Sequence, residues 1–129
     1  MEYDVKSEIL GFEAMNRVRL SVIDETFASL RDVDNEKISF TLVNPFKLRE
    51  YAVDIPSTIN ELLEIGAGAK FSVYAIVLLQ NPLDESRVNF LAPLIFNHDN
   101  HTVAQAVLVH QEYPEFGVAE SIRSLIKEA

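Results

Sequence analysis

Apolar and polar residues alternate with a period of two along most of the chain, and this pattern predicts β-strands. In NRVRLSV, Val18, Leu20 and Val22 face one way, and the arginines and the serine between them face the other. A second run begins at Phe27, and after a polar stretch the alternation resumes in ISFTLV. Two such runs around a short polar link predict a β-hairpin.

Four later segments continue the pattern, and we expect each of them to form a strand. They are REYAVDI (49–55), KFSVYAIVLLQ (70–80), VNFLAPLIF (88–96) and HTVAQAVLVHQ (101–111). In the first, the alternation predicts burial of Tyr51, Val53 and Ile55. The second is apolar on both faces from Tyr74 onwards, which favours a central strand of the sheet.

Two segments have helical spacing instead. In PSTINELLEIG, Thr58 and Glu61 have the spacing of a capping box, and Gly66 is a natural stop. The apolar face of this short helix consists of Ile59, Leu62 and Leu63. The C-terminal FGVAESIRSLIKEA predicts a second, amphipathic helix whose apolar positions are Val118, Ile122, Leu125 and Ile126.

These elements together predict the fold class. Many short strands with polar turns between them are typical of an antiparallel sheet closed, or nearly closed, into a barrel or sandwich. We therefore expect a mainly β, small antiparallel β-barrel-like domain with one short internal helix and a C-terminal helix. The length suits one domain, spanning residues 1–129.

The strand predicted in VNFLAPLIFN (88–97) contains an irregularity. Asn89 and Pro93 interrupt one of the most apolar stretches of the chain, and Asn97 closes it. Proline has no N–H to donate to a sheet ladder, so it is confined to edge strands and bulges. We expect a bulge or an open edge at Pro93.

Composition narrows the classes of protein that the chain can belong to. Hydrophobic residues make up 48% of the chain, which excludes a disordered protein. There are no cysteines, which excludes disulfides, thiolate nucleophiles and cysteine-based metal sites. The start, MEYDVKSEI, is unlike a signal peptide, and the apolar runs are too short to span a bilayer. We expect a soluble, cytoplasmic protein without a membrane partner.

The formal net charge of −9 bears on the partners. An acidic surface repels phosphate, so direct binding of nucleic acid is disfavoured. The same surface attracts basic partners and speeds their encounter. The alternative is that the acidity serves only solubility.

Candidate catalytic and metal-binding residues are few. The loop NHDNH contains His98, Asp99 and His101, which are suitable metal ligands. His110 lies at the far end of the next predicted strand, so a third ligand is missing, and Asn and Asp are common in turns. The acid pairs Glu61/Glu64 and Asp84/Glu85 are interpreted as solvated surface. No phosphate-binding loop or nucleophile motif is present, and we expect no catalytic site, metal or cofactor.

Two motifs resemble the FliW family of flagellar assembly factors. One is FTLVNPFKLREYAVDIP (40–56), and the other is VNFLAPLIFN followed by Gln105. The matching positions are Asn44, Pro45, Tyr51, Ile55, Pro56, Asn89, Leu91, Ala92, Pro93, Asn97 and Gln105. The resemblance extends from about residue 9, near Gly11-Phe12, to about residue 115. The approach to that Gly-Phe pair is shorter than in the family, and the glycine that is usual before the Gln strand is missing, since Thr102, Val103 and Ala104 stand there.

The resemblance implies a barrel-like fold and a non-enzymatic function. FliW proteins bind flagellin and the translational regulator CsrA. Holding CsrA relieves its repression of flagellin translation, and free flagellin restores the repression. We predict a partner-binding surface that includes Asn44, Pro45, Phe46, Tyr51, Asn89, Pro93, Asn97 and Gln105. Alanine at Asn89 or Asn97 is then expected to leave folding intact and to weaken a partner.

Two alternatives remain at this point. The asparagines can instead bond turn backbones, with Pro93 protecting an edge from aggregation. The chain can also be a small-ligand-binding or enzymatic barrel that uses the His98/His101 loop or a mouth lined by tyrosines, which are Tyr3, Tyr51, Tyr74 and Tyr113. A deep polar cavity favours this second function, and a filled barrel with an acidic or apolar outer patch favours the binding protein.

Overall fold

The computed structural model describes residues 1–122, which contain eight strands, one α-helix and two short 3₁₀ helices. The strands are β1 (Glu2–Val5), β2 (Arg17–Val22), β3 (Phe27–Asp32), β4 (Ser39–Val43), β5 (Phe71–Leu78), β6 (Arg87–Asn97), β7 (Thr102–Gln105) and β8 (Glu120–Ser121). The helices are α1 (Ser57–Leu63) and the 3₁₀ turns Pro45–Lys47 and Leu83–Glu85.

Strands β1 to β7 form a closed barrel, which confirms the predicted mainly β, barrel-like fold. Neighbours in sequence pair antiparallel from β1 through β7, with one break in register between β5 and β6. The barrel closes where β7 pairs with β1, and this pairing is parallel, with Asp4 opposite Thr102. One pair of barrel strands therefore departs from the expected antiparallel arrangement. Strand β8 adds antiparallel to the start of β6.

The hydrophobic core has two parts on opposite faces of the barrel wall. The inner part takes alternate residues of the barrel strands, such as Val18, Leu30, Leu42 and Phe96. The outer part lies on β5, β6 and β7. It is covered by α1, by the segment 48–55 and by the segment 113–122. Strand β5 is buried on both faces for this reason: Val73, Ala75 and Val77 contribute to the outer part, and the residues between them lean on the inner part.

Residues 49–55 do not form the predicted strand. The prediction of burial holds, because Tyr51 is buried and Val53 and Ile55 pack half-buried against the outer core. The prediction of strand pairing is wrong: the segment has no ladder partner in the part of the chain that the structure describes, and the Asp54 N–H donates to the Tyr113 hydroxyl at 3.0 Å. Alternation of apolar and polar residues shows that one face of a segment is buried. An extended segment that covers a sheet without pairing with it has the same alternation.

Helix α1 lies where the sequence predicts it, but both of its ends differ from the prediction. Pro56 is the N-cap residue, and no side chain caps the N-terminus, so the capping box of Thr58 and Glu61 is wrong. The helix ends before Gly66, because Glu64 adopts the left-handed conformation at φ 59°. Its buried face is narrower than predicted, since Leu62 is 41% exposed.

Two predicted elements towards the C-terminus also change. Strand β7 ends at Gln105, although the N–H groups of Ala106 and Leu108 still donate to carbonyls of β6, at 2.9 and 2.7 Å. Within the predicted second helix, Val118 is exposed and Glu120–Ser121 forms β8. Ile122 is buried as predicted, and the last two positions, Leu125 and Ile126, lie outside the described residues.

Candidate functional site

The irregular stretch of β6 is a bulge around Pro93. Tyr74 of β5 pairs with Leu94, but Ile76 pairs with Asn89, so four residues of β6 lie opposite the single residue Ala75. A bulge of this kind breaks the ladder and leaves backbone groups to be satisfied elsewhere. The expectation of a bulge at Pro93 is therefore confirmed.

Three side chains that were predicted to belong to the partner-binding surface form hydrogen bonds with backbone groups of this bulge. The Asn89 Oδ1 accepts from the Leu91 N–H at 3.0 Å, and the Tyr51 hydroxyl donates to the Phe90 carbonyl at 2.6 Å. The Gln105 side-chain amide donates to the Ala92 carbonyl at 3.0 Å. Tyr51 and Gln105 are buried, so their side chains hold the backbone of the bulge from inside the protein.

Asn97 also has an internal role. Its side chain is 1% exposed, and its Nδ2 donates to the Leu63 carbonyl at the end of α1, at 2.7 Å. Its Oδ1 accepts from the Asp99 N–H at 2.9 Å. Pro93 is buried as well. Five of the eight predicted site residues (Pro45, Tyr51, Pro93, Asn97 and Gln105) are thus inside the protein, which favours the structural alternative for them.

The segment Asn44–Phe46 is the accessible part of the predicted surface. Asn44 caps the 3₁₀ turn that follows β4, because its Oδ1 accepts from the Phe46 N–H at 3.0 Å. Pro45 is buried, and it fixes the turn that takes the chain away from the sheet. Phe46 is 54% exposed, and its ring meets the Tyr51 ring edge-on at 5.6 Å. The buried Tyr51 ring therefore supports the exposed ring of Phe46 from below.

Phe46 stands between two open cavities of about 540 and 360 Å³. Both are also lined by Phe71 and Val73 at the start of β5. Here we call the two together the Phe46 groove; its apolar lining is Phe46, Val53, Ile55, Ile65, Phe71 and Val73. A surface groove with exposed aromatic rings suits a polypeptide segment better than a small polar ligand.

The histidine loop is engaged internally. The Tyr3 hydroxyl lies 2.6 Å from His98 Nδ1, and the Ser72 hydroxyl lies 2.6 Å from His98 Nε2. Asp99 accepts from the Lys70 N–H at 3.1 Å, and His101 occupies the turn with φ 55°. Residues 1–122 contain no group of three His, Asp or Glu side chains placed to hold a metal ion.

The acid pairs and tyrosines of the sequence analysis are scattered. Glu61, Glu64 and Glu85 are exposed, while Asp84 is half-buried. Burial raises the pKa of Tyr3, of Tyr51 and of Tyr74, so these phenols stay protonated at neutral pH. Tyr113 uses its hydroxyl to accept from the backbone of the covering segment.

His98 predicts a pH dependence of stability. Burial lowers the pKa of His98, and the nearby His101 lowers it further, against a smaller opposite effect of Asp99. The unfolded chain then takes up this proton more readily than the folded one. We expect the contribution of His98 to the free energy of unfolding to be fully present above a pH of about 6.5. This contribution is lost as the pH falls through the lowered pKa.

Urea unfolding of the His98→Gln variant at several pH values tests this expectation. Between neutral and mildly acidic pH, the free energy of unfolding should fall less in the variant than in the unmodified protein. The exposed His110 supplies the control, and His110→Gln should keep the decline of the unmodified protein. An identical pH profile for His98→Gln and the unmodified protein would contradict the prediction.

Comparison with known proteins places this geometry in a family. The family model described as FliW protein matches residues 2–116, which include every side chain of the bulge and of the Phe46 groove named above. The chain belongs to the FliW family. The resemblance predicted from residues 9–115 is confirmed and extends to β1.

Individual FliW proteins support the assignment over the whole chain. Flagellar assembly factor FliW 1 of Wolinella succinogenes is 51% identical over 128 residues, covering 99% of this chain and 100% of the relative. Flagellar assembly factor FliW 1 of a Helicobacter pylori strain is 44% identical, covering 98% and 95%. Flagellar assembly factor FliW of Sulfurimonas denitrificans is 43% identical, covering 99% and 100%.

A solved structure supports the fold of the FliW family member described here. A crystal structure of the flagellar assembly factor FliW matches it with a TM-score of 0.83 at 21% identity, covering 94% of this chain and 84% of that chain. This likeness shows a shared fold. Over residues 1–122, no helix is long and apolar enough to cross a membrane.

Sequence reasoning missed Phe71 and Val73, which line the Phe46 groove together with a residue that it did select. Their strand was predicted, but its exposed start was not. A usable signal exists in Asn44-Pro45, because a proline directly after β4 prevents that strand from continuing along its neighbour.

Proposed function

We propose that this FliW-family chain is a non-enzymatic, cytoplasmic binding protein that alternates between flagellin and the translational regulator CsrA. The observation that carries the proposal is the family match over nearly the whole chain, to relatives named as flagellar assembly factors. In the proposed cycle, the protein holds CsrA and relieves repression of flagellin translation. Free flagellin takes its place and restores repression, so export of flagellin adjusts its own synthesis.

The charge of the molecule supports a basic partner. The chain carries 20 acidic and 11 basic side chains. Arg17 and Arg19 are already engaged with Glu2, and Arg49 with Glu120, which leaves a strong excess of exposed carboxylates. An RNA-binding repressor presents a basic surface, and opposite charges speed and orient such an encounter.

The Phe46 groove supports a protein ligand. An exposed aromatic ring beside a concave apolar surface is the usual centre of a protein–protein contact. We propose that Asn44–Phe46 contributes directly to docking, and that Asn89, Tyr51 and Gln105 contribute by fixing the backbone of the bulge. Pro93 and Asn97 belong to the same supporting framework.

A second candidate function is a small-ligand-binding or enzymatic barrel. One observation favours it: the 2.6 Å contact between the Ser72 hydroxyl and His98 Nε2 resembles a nucleophile beside a base. The other ring nitrogen faces the Tyr3 hydroxyl instead of a carboxylate, and the cavity beside Ser72 is lined by no charged residue among those described. This candidate therefore ranks below the binding protein.

Co-elution on a sizing column tests the proposed function. The protein is run with purified CsrA at low salt, and flagellin is then added. We expect CsrA to co-elute, flagellin to release it, and the CsrA complex to weaken as salt rises, because screening shortens the reach of the charges. Failure of both partners to bind at low salt would overturn the proposal and direct a ligand screen to the His98 loop.

A further inference from the structure

The start of β5 is paired on one side only. Strand β6 pairs with it from Phe71 to Tyr74. Strand β4 pairs only with the stretch from Ala75 to Val77 and ends where Val43 lies opposite Ala75. The chain then turns away at Asn44-Pro45, so within residues 1–122 no second strand continues the ladder beside Phe71–Tyr74.

The backbone of this stretch shows which groups face the open side. The Lys70 carbonyl accepts from the His98 N–H at 2.8 Å, so the backbone N–H and C=O groups of Lys70 face the β6 side of the sheet. In an antiparallel ladder, alternate residues point the same way, so Ser72 and Tyr74 also face β6. Phe71 and Val73 therefore direct their N–H and C=O groups to the open edge. Among residues 1–122, no backbone hydrogen bond outside the β5–β6 ladder reaches these groups.

The open edge runs along the Phe46 groove. Phe71 is 45% exposed and Phe46 is 54% exposed, and both line the two cavities with Val73. A strand added to an edge gains main-chain hydrogen bonds, while pockets for its alternate side chains provide specificity. The groove supplies such pockets directly beside the unpaired backbone.

The charge at the groove indicates the chemistry of the added strand. Within residues 1–122, Asp54 is the one charged residue that lines either cavity, and it is exposed. Among the described residues, no lysine or arginine lies in salt-bridge distance of its carboxylate. Lys47, which follows Phe46 in the sequence, is already paired with Glu25 at 3.4 Å. A lysine or arginine on the incoming segment can therefore form a salt bridge with the Asp54 carboxylate.

We propose that the open edge of β5 at Phe71–Val73 binds an extended segment of a protein partner as an added strand. The segment has apolar side chains at alternate positions, which enter the Phe46 groove, and a lysine or arginine that meets Asp54. This inference rests on the proposed function and names the contact by which a partner is held.

Amide hydrogen exchange, read by NMR, tests the contact on the unmodified protein. Purified CsrA and purified flagellin are added separately as probes. We expect the Phe71 and Val73 amides to become protected by at least one probe, while the Ser72 amide, already bonded to β6, changes less. Binding without this protection would overturn the added strand and leave the proposed function standing. Absence of binding by both probes would overturn the proposed function and the inference with it.

A matched pair of variants isolates the backbone contact. Phe71→Pro and Phe71→Ala both lack the ring, but only proline lacks the outward N–H, and the first residue of a strand tolerates proline. Phe71→Pro should bind the probe about three- to tenfold more weakly than Phe71→Ala, the effect of one hydrogen bond. Equal affinities of the two variants would contradict the added strand. Thermal unfolding of both variants checks that each is folded.

A second pair tests the charge. Asp54→Asn should weaken the probe about two- to fivefold at low salt, whereas Glu61→Gln, an exposed carboxylate outside the groove, should not. Equal losses for the two variants would show that only net charge matters. Protection of Phe71 and Val73 that appears without a probe as the protein is concentrated would identify a second copy of this chain as the occupant, and would overturn the proposal.

Discussion

Replacing Tyr51 with alanine is expected to lower the free energy of unfolding by about 3–5 kcal/mol, the usual cost of removing a buried aromatic side chain. Tyr51 is 2% exposed. Its ring packs against Phe116 at 4.9 Å, Phe90 at 5.8 Å and Phe46 at 5.6 Å. The variant loses this cluster and leaves the Phe90 carbonyl in the bulge without its donor.

The Tyr51→Phe variant is the control for the hydroxyl alone. It keeps the ring and removes one buried hydrogen bond, so we expect a loss of about 1–3 kcal/mol. Urea unfolding followed by circular dichroism measures both variants. A Tyr51→Ala protein within about 1 kcal/mol of the unmodified one would mean that the covering segment adds little to stability, contrary to its buried position.

Alanine at Asn97 is expected to destabilise the protein by about 1–3 kcal/mol, and alanine at Asn89 by less than about 1 kcal/mol. Asn97 is buried and joins the end of α1 to the turn after β6. Asn89 is half-buried and holds only the Leu91 N–H, which water can reach more easily. The sequence alone predicted intact folding for both variants, and the burial of Asn97 revises that prediction for this position.

The same urea unfolding measurement separates the two asparagines. Partner binding by each variant is then compared at a temperature where both are folded. Equal stability of the Asn97→Ala and Asn89→Ala proteins would contradict the structural role assigned to Asn97. A binding defect of Asn89→Ala with unchanged stability would restore Asn89 to the docking surface.

Much of the fold could be predicted because the barrel wall buries one face of each strand, and alternation records that face directly. Val18 and Leu20 are buried as predicted, whereas Val22 at the strand end is exposed. The prediction failed for residues 49–55 because alternation does not reveal whether a backbone has a ladder partner. It failed at Thr58 because the N-cap residue is Pro56, two residues earlier than the capping box predicted.

The site was harder to predict than the fold. The family resemblance selected Tyr51, Asn89 and Gln105, but a motif does not say whether a side chain faces a partner or supports the chain behind it. Hydrogen bonds to Phe90, Leu91 and Ala92 now identify the supporting role. The open edge at Phe71 and Val73 depends on where another strand leaves the sheet, which is a non-local property.

The parallel pairing that closes the barrel has a consequence for synthesis of the protein on the ribosome. Strand β1 is made first, but its second neighbour, β7, ends at Gln105. While the intervening residues emerge, the growing chain has β1 and β2 available but lacks the strand that seals them. The nascent barrel therefore stays unsealed until β7 has left the exit tunnel, long after β1 and β2 have emerged.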